Sequence, residues 1–277
     1  MLVVDASSPS LYGSTVRAPV NVTIWDGPAG PAPAILIHGT LSWAVSAFER
    51  QRPLARRRRV LLPDRRGYGR SPDLDDGQVT SDYAVDARDV VALMTGGVHL
   101  VGHSYGGTVA MIAAAARPNL VRSLTLIEPC AHQVASDDPV VAAAVQDARE
   151  FMSGARRWTA QQYLDLVYPA GQPRPEPADR LQRAARTALN ERPCWLADLA
   201  TQPLADAAFA KLVIVGDWGT VPGGYRPGMA QVMERVAATV ADRIGARLVR
   251  VPGAAHEPHR EQPDAVNKVL EQLWSAE

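Results

Sequence analysis

Residues 98–107 read VHLVGHSYGG, a strand-like run that breaks into a serine flanked by glycines. Four residues, Val98–Val101, form a short apolar, β-branched run of the kind that fills a buried strand. Gly102-His103-Ser104-Tyr105-Gly106 then gives the spacing G-x-S-x-G, and small residues from Gly107 onward suit a helix. Strand, sharp turn and helix are the context in which this spacing presents a nucleophilic serine. The flanking glycines leave room where a Cβ would clash, and the turn itself requires strained backbone angles. Ser104 Oγ is thereby lifted above the sheet edge, at the positive end of the following helix. The same spacing in another context would be only a tight turn.

Outward from this stretch, short apolar runs alternate with longer helix-like segments, the pattern of a mostly parallel sheet covered on both faces. Buried strands are expected at Ala34–Ile37, Val60–Leu62, Val98–Val101, Leu124–Ile127, Leu212–Val215 and Leu248–Val251. Leu11–Val16 and Val20–Trp25 read as an antiparallel edge pair, which makes an eight-stranded sheet. Helices are expected at Trp43–Leu54, Ser81–Met94, Gly107–Ala116 and Pro263–Trp274. The alternation breaks between residues 131 and 205, where helices at Val140–Ser153, Thr159–Val167, Ala178–Asn190 and Cys194–Leu199 have no strand between them. The proline-rich PAGQPRPEP at 169–177 interrupts this region and cannot be helical throughout. The economical division is an α/β core over 1–130 and 206–277, with a helical cap inserted at 131–205.

Four motifs, in this order, resemble the α/β-hydrolase superfamily: ILIHGT from Ile35, LLPDRRGYGRS from Leu61, GHSYGG from Gly102 and VPGAAHEPHREQP from Val251. They are similar to the family's third strand with its His-Gly turn, its Asp-x-Arg-Gly-x-Gly-x-Ser loop, its nucleophile elbow and its histidine loop. The resemblance implies Ser104 as nucleophile and His256 as general base. It also implies an oxyanion hole made of the Thr40 and Tyr105 backbone amides, which needs no particular side chain. His38 and His103 then read as structural. His259 competes with His256 but lacks its spacing from the Pro252-Gly253 turn.

The acid is the difficult member. The family's usual position, three residues beyond the strand-ending Gly216, is Gly219, which has no side chain. Asp217 is the alternative, two residues early, and two residues of extended chain span about 6.6 Å. The preceding strand offers Glu128 at the exit of Leu124–Ile127, where Pro129 ends the ladder. In part of the superfamily, the haloalkane dehalogenases for example, a carboxylate at this place serves as the acid. Glu128 is therefore the expected acid, with Asp217 as the rival, and the order Ser104, Glu128, His256 keeps the family's nucleophile–acid–base succession.

Composition narrows the remaining classes. The chain has 277 residues, and its 29 basic and 29 acidic residues balance, which disfavours nucleic acid or an anionic membrane as partner. The arginines crowded between Arg50 and Arg70 read as a solvated helix end. Two cysteines, Cys130 and Cys194, make neither a disulfide framework nor a zinc site. No dinucleotide or metal motif is present, and HEPH at 256–259 lacks the i, i+4 histidine spacing of a zinc helix. No cofactor is expected. The N-terminus has no secretory pattern and no run suits a membrane span, so a cytoplasmic protein is expected.

The expected function is a serine hydrolase that cleaves a carboxylic ester, lactone or thioester in a small molecule with an apolar portion. The same scaffold also serves C–C hydrolysis, peptide hydrolysis, lyase and cyclisation chemistry. A non-catalytic binding relative is the reading that Gly219 would favour.

Overall fold

The computed structural model describes residues 18–74, 79–155, 157–171, 173–219 and 228–275. Seven strands form a single sheet: β1 (Val22–Trp25), β2 (Ala34–Ile37), β3 (Val60–Pro63), β4 (Val98–His103), β5 (Val121–Ile127), β6 (Ala210–Gly216) and β7 (Arg247–Val251). Their order is β1-β3-β2-β4-β5-β6-β7, and only the edge strand β1 runs antiparallel to its neighbour. The six strands expected to be buried are all present and parallel, but β7 lies at the sheet edge and only its Val251 is buried. Val20–Trp25 shortens to β1, and its expected partner Leu11–Val16 lies outside the described residues.

The strand side chains alternate between two cores, as a period of two requires. Ile35, Ile37, Leu100, Leu124, Leu126, Val213 and Val215 join one apolar cluster; Ala34, Leu36, Val101, Ile127, Leu212 and Ile214 join the other. The helices Tyr83–Leu93, Tyr105–Ala116 and Met229–Ile244 cover the first face, while Ala44–Phe48 and Pro263–Trp274 cover the second. Each fully buried leucine or isoleucine here contributes about 1.5–3 kcal/mol by removal from water.

The expected helix Cys194–Leu199 is reduced to a 3₁₀ turn at Cys194–Leu196, and two longer helices also differ from expectation. Trp43–Leu54 divides into an α-helix at Ala44–Phe48 and a 3₁₀ helix at Glu49–Arg56 that contains Pro53; proline has no N–H to donate to an α-helical ladder. Met229–Ile244 was not expected at all. Its signal lies in Val232, Met233, Val236, Ala237, Val240, Ala241 and Ile244, all buried at helical spacing, with Gly245 in the left-handed region (φ 65°) as the terminator.

Between β5 and β6 the described chain is helical, with Pro139–Ala155, Ala160–Val167 and Ala178–Asn190, then a 3₁₀ turn at Cys194–Leu196. Thr159 and Gln162 form a reciprocal capping box at the start of Ala160–Val167. The end of this region is tied to the core: Thr80 N–H donates to Asn190 O and Arg192 N–H to Ser81 O. Arg183 adds bonds to the Gly69 and Ser71 carbonyls, at 2.9 and 2.6 Å. No helix among the described residues is long and apolar enough to cross a membrane.

The chain passes outward from β2 to β3 and returns to β4 on the other side of β2. The loops after β2 and β4 therefore diverge, opening a crevice at the carboxyl ends of the strands where open α/β sheets place their ligands. His38-Gly39-Thr40 leaves β2 there, and Ser104 leaves β4.

Candidate active site

Ser104 sits between β4 and the helix Tyr105–Ala116 with φ 52° and ψ −116°, a backbone conformation that costs about 1–3 kcal/mol for a residue with a Cβ. Close packing of the turn against β2 maintains it. A Cβ on Gly106 would lie 2.1 Å from the Ile37 carbonyl oxygen, so the helix start can approach β2 only with glycine there.

His256 follows β7, and its Nε2 lies 3.1 Å from Ser104 Oγ. On the other side of the ring, Nδ1 stands 3.5 Å from Glu128 Oε2. That separation is an ion-pair contact slightly longer than a hydrogen bond, and among the described residues neither atom has another hydrogen-bond partner. Glu128 is fully buried, and its other oxygen, Oε1, accepts from Gly216 N–H at 2.7 Å and Trp218 Nε1–H at 3.1 Å. One oxygen is thus pinned by the end of β6 while the other faces the imidazole. The positive φ of 46° at Glu128, just before Pro129, turns the side chain off the strand toward His256. Burial alone would lower the His256 pKa, but the neighbouring Glu128 carboxylate outweighs it, so the pKa is raised above the ordinary value.

Asp217 lies apart from this group. It is exposed, forms no ion pair with His256, and its Oδ1 accepts from Gly219 N–H at 3.3 Å, the local turn bond that aspartate commonly makes.

Three other histidines, His38, His103 and His259, are buried beside the site. His38 Nδ1–H donates to the Gly39 carbonyl at 2.8 Å and its Nε2 accepts from Arg65 N–H at 2.9 Å. His103 Nε2–H donates to the His256 carbonyl at 2.8 Å, which steadies the histidine loop. Burial, reinforced by Arg65 for His38 and by its histidine neighbours for His103, holds both well below the usual histidine range. His259 is buried against Phe48 and His103, and its pKa is lowered to about 3, first by burial and then by Arg260.

The reactive atoms open into a cavity of about 740 Å³. Thr40, Ser104, Tyr105 and His256 form its floor, while Phe151, Met152, Leu166, Val167 and Trp195 from the helical region line its walls. A Cβ on Gly39 would come within 3.1 Å of Ser104 Cβ, so the Gly39–Thr40 peptide lies against the nucleophile turn. Thr40 and Tyr105 N–H groups donate to no other group of the described chain. A separate, more polar cavity of about 520 Å³, lined by Asp64, Glu49 and Arg180 among others, contains none of these residues and no comparable constellation.

A serine hydroxyl beside an imidazole whose far nitrogen faces a buried carboxylate can activate the serine as a nucleophile. The family model described as "Alpha/beta hydrolase family" matches residues 34–269. The chain belongs to this α/β-hydrolase family. Among curated members, it is similar to a lipase, LipV, of Mycobacterium tuberculosis, at 37% identity over 37% of this chain and 39% of that protein. It is also similar to a 2-hydroxymuconate semialdehyde hydrolase of a Pseudomonas species, at 35% identity over 44% of each chain. These matches span less than half of either relative. A thermophilic esterase of Thermogutta terrifontis shares the fold of this α/β-hydrolase across 94% of this chain and 95% of its own, with TM-score 0.64 and 24% identity.

Sequence reasoning missed a second polar group beneath the site. Arg65, Asp86, Tyr68 and Glu191 meet in the interior. In the Asp-x-Arg-Gly loop Arg65 occupies the variable position, and the motif arginine, Arg66, turns instead to Asp89. Glu191 is 126 residues away from Arg65. Two adjacent arginines after a buried strand are the only local sign that one must point inward.

Proposed function

We propose that the chain is a serine hydrolase acting through an acyl-enzyme on Ser104, with a carboxylic ester, lactone or thioester as the substrate class. The observation that carries this reading is the line Ser104 Oγ, His256, Glu128, with contacts of 3.1 and 3.5 Å at the two ring nitrogens. Ser104 Oγ attacks the substrate carbonyl while His256 Nε2 takes its proton, and Glu128 stabilises the resulting imidazolium. The Thr40 and Tyr105 amides hold the developing oxyanion. His256 then gives the proton to the leaving group, and a water activated by the same nitrogen releases the acyl group. The helical region 131–205 acts as the cap, and its apolar wall residues receive an apolar portion of a small-molecule substrate.

A second reading keeps the same residues for hydrolysis of a carbon–carbon bond. The 35% identity to the 2-hydroxymuconate semialdehyde hydrolase favours it. The binding-only reading rested on Gly219, and Glu128 facing His256 from the adjacent strand supports catalysis instead.

The test is turnover of 4-nitrophenyl butyrate before and after stoichiometric treatment with a fluorophosphonate. The expected result is hydrolysis that disappears as the label is incorporated. No hydrolysis and no labelling would contradict the hydrolase reading; labelling without ester turnover would favour the second one.

The same assay gives a pH dependence. Only neutral His256 accepts the proton, and Glu128 raises its pKa against the opposing effect of burial. The value of kcat/KM is expected to rise with pH through a midpoint above the unperturbed histidine value of about 6.5. Glu128→Gln removes the negative charge and is expected to lower that midpoint. A midpoint at or below that unperturbed value in the wild type, or one unmoved by the substitution, counts against the pairing.

A further inference from the structure

The peptide unit joining Gly39 to Thr40 carries the Gly39 carbonyl at one end and the Thr40 N–H at the other, so whatever fixes the oxygen aims the amide. Three donors converge on that oxygen: His38 Nδ1 at 2.8 Å, Ser42 Oγ at 3.3 Å and Arg65 Nη2 at 3.3 Å. Only Arg65 brings a full charge. Its side chain is 1% exposed and is held from several directions. Nη1 donates to Asp86 Oδ2 at 3.2 Å and Nη2 to Glu191 Oε2 at 3.0 Å. Its guanidinium carbon lies 3.7 Å from the centre of the Tyr105 ring. Glu191 closes the circuit by accepting from Thr40 Oγ1 at 2.5 Å and Tyr68 Oη at 2.8 Å. One buried cation therefore touches the residues that supply both amides at the nucleophile, Thr40 through its peptide and through Glu191, and Tyr105 through its ring.

We propose that Arg65, held by Asp86 and Glu191, is a positioning residue for the oxyanion hole that acts through the Gly39 carbonyl to aim and polarise the Thr40 N–H. This rests on the hydrolase reading above. A charged donor on the carbonyl draws electron density from the amide and makes its N–H a stronger donor, an effect that low local dielectric amplifies. Preorganisation of this kind acts where charge develops, so it lowers the barrier without strengthening ground-state binding. The planar fork of arginine is what allows one side chain to serve Asp86, Glu191 and Gly39 at once; a lysine ammonium presents its donors from a single point. Glu191 leaves the helical region at its exit, so the same circuit ties that region to the oxyanion peptide.

The test compares wild type, Arg65→Lys and Glu191→Gln with 4-nitrophenyl butyrate, active sites being counted by fluorophosphonate. Arg65→Lys is expected to lower kcat per active site by about 10–100-fold, less than the roughly 10²–10³-fold cost of outright removal of an oxyanion donor. KM is expected to stay within about threefold, and the pH midpoint of kcat/KM to stay in place. Affinity for phenylboronic acid, which forms a tetrahedral adduct on the serine, is expected to fall in step with kcat/KM. A merely structural arginine would reduce the number of active sites and leave kcat per site and boronate affinity unchanged, and that outcome overturns the proposal. If Arg65→Lys does not fold, Glu191→Gln decides: the same pattern at smaller size supports the proposal, and wild-type kcat with wild-type boronate affinity overturns it. Absence of ester turnover in the wild type counts against the hydrolase reading and removes this one with it, whereas a normal wild type with an indifferent Arg65 removes this one alone.

Discussion

Ser104→Ala is expected to abolish ester turnover, with a loss in kcat of at least about 10³-fold, since removing the nucleophile of a serine protease costs about 10⁶-fold. The substitution deletes one oxygen whose partner is His256 Nε2. Alanine bears the same Cβ as serine at the strained φ of 52°, so the strain of the turn is unchanged and the fold should persist. Steady-state turnover of 4-nitrophenyl butyrate, alongside thermal melting by circular dichroism, checks both halves. A folded variant that retains more than a tenth of wild-type activity places the chemistry elsewhere in the cavity.

The second large effect is expected at Glu128. Glutamine in its place can still accept from Gly216 N–H and Trp218 Nε1–H through its carbonyl oxygen. Its amide nitrogen then faces His256 Nδ1 where the carboxylate oxygen stood. An NH₂ group donates, so Nδ1 must accept, and the ring proton moves to Nε2. That tautomer cannot take the proton of Ser104. The loss of charge also leaves the imidazolium unsupported. Together these effects are expected to lower kcat by about 10²–10⁴-fold, the upper end being the cost of the equivalent change in a serine protease. Because Glu128 is fully buried, the melting temperature must be measured with the rate. Asp217→Asn is expected to stay within about tenfold, since asparagine can keep the turn bond to Gly219 N–H that the exposed carboxylate now accepts.

The parts of this molecule that were legible in the sequence are those governed by local rules. Buried strands show as β-branched runs, and the nucleophile turn shows as glycines at fixed spacing. Glu128 as the candidate acid was legible from two signs together, the missing side chain at Gly219 and a carboxylate at a strand exit just before Pro129. What makes Glu128 suited to the task comes from the neighbouring strand: Gly216 and Trp218 hold one of its oxygens, and the positive φ at Glu128 turns the carboxylate toward His256. Neither is written near residue 128. The Arg65–Glu191 pair was not legible at all, because it joins residues that only the return of the chain from the helical region brings together. The helix Met229–Ile244 is written in local signals, since its apolar spacing and terminal glycine are ordinary helix signs.

The account stands on the acid having moved from the loop after β6 to the end of β5. The most direct measurement is the ratio of kcat for Asp217→Asn to kcat for Glu128→Gln, at saturating 4-nitrophenyl butyrate and a pH above the wild-type midpoint. The geometry predicts a ratio of at least about 10, given losses of about 10²-fold or more at Glu128 and about tenfold or less at Asp217. A ratio well below one, with Asp217→Asn the crippled variant, would contradict it, and so would two folded variants that both turn over like wild type.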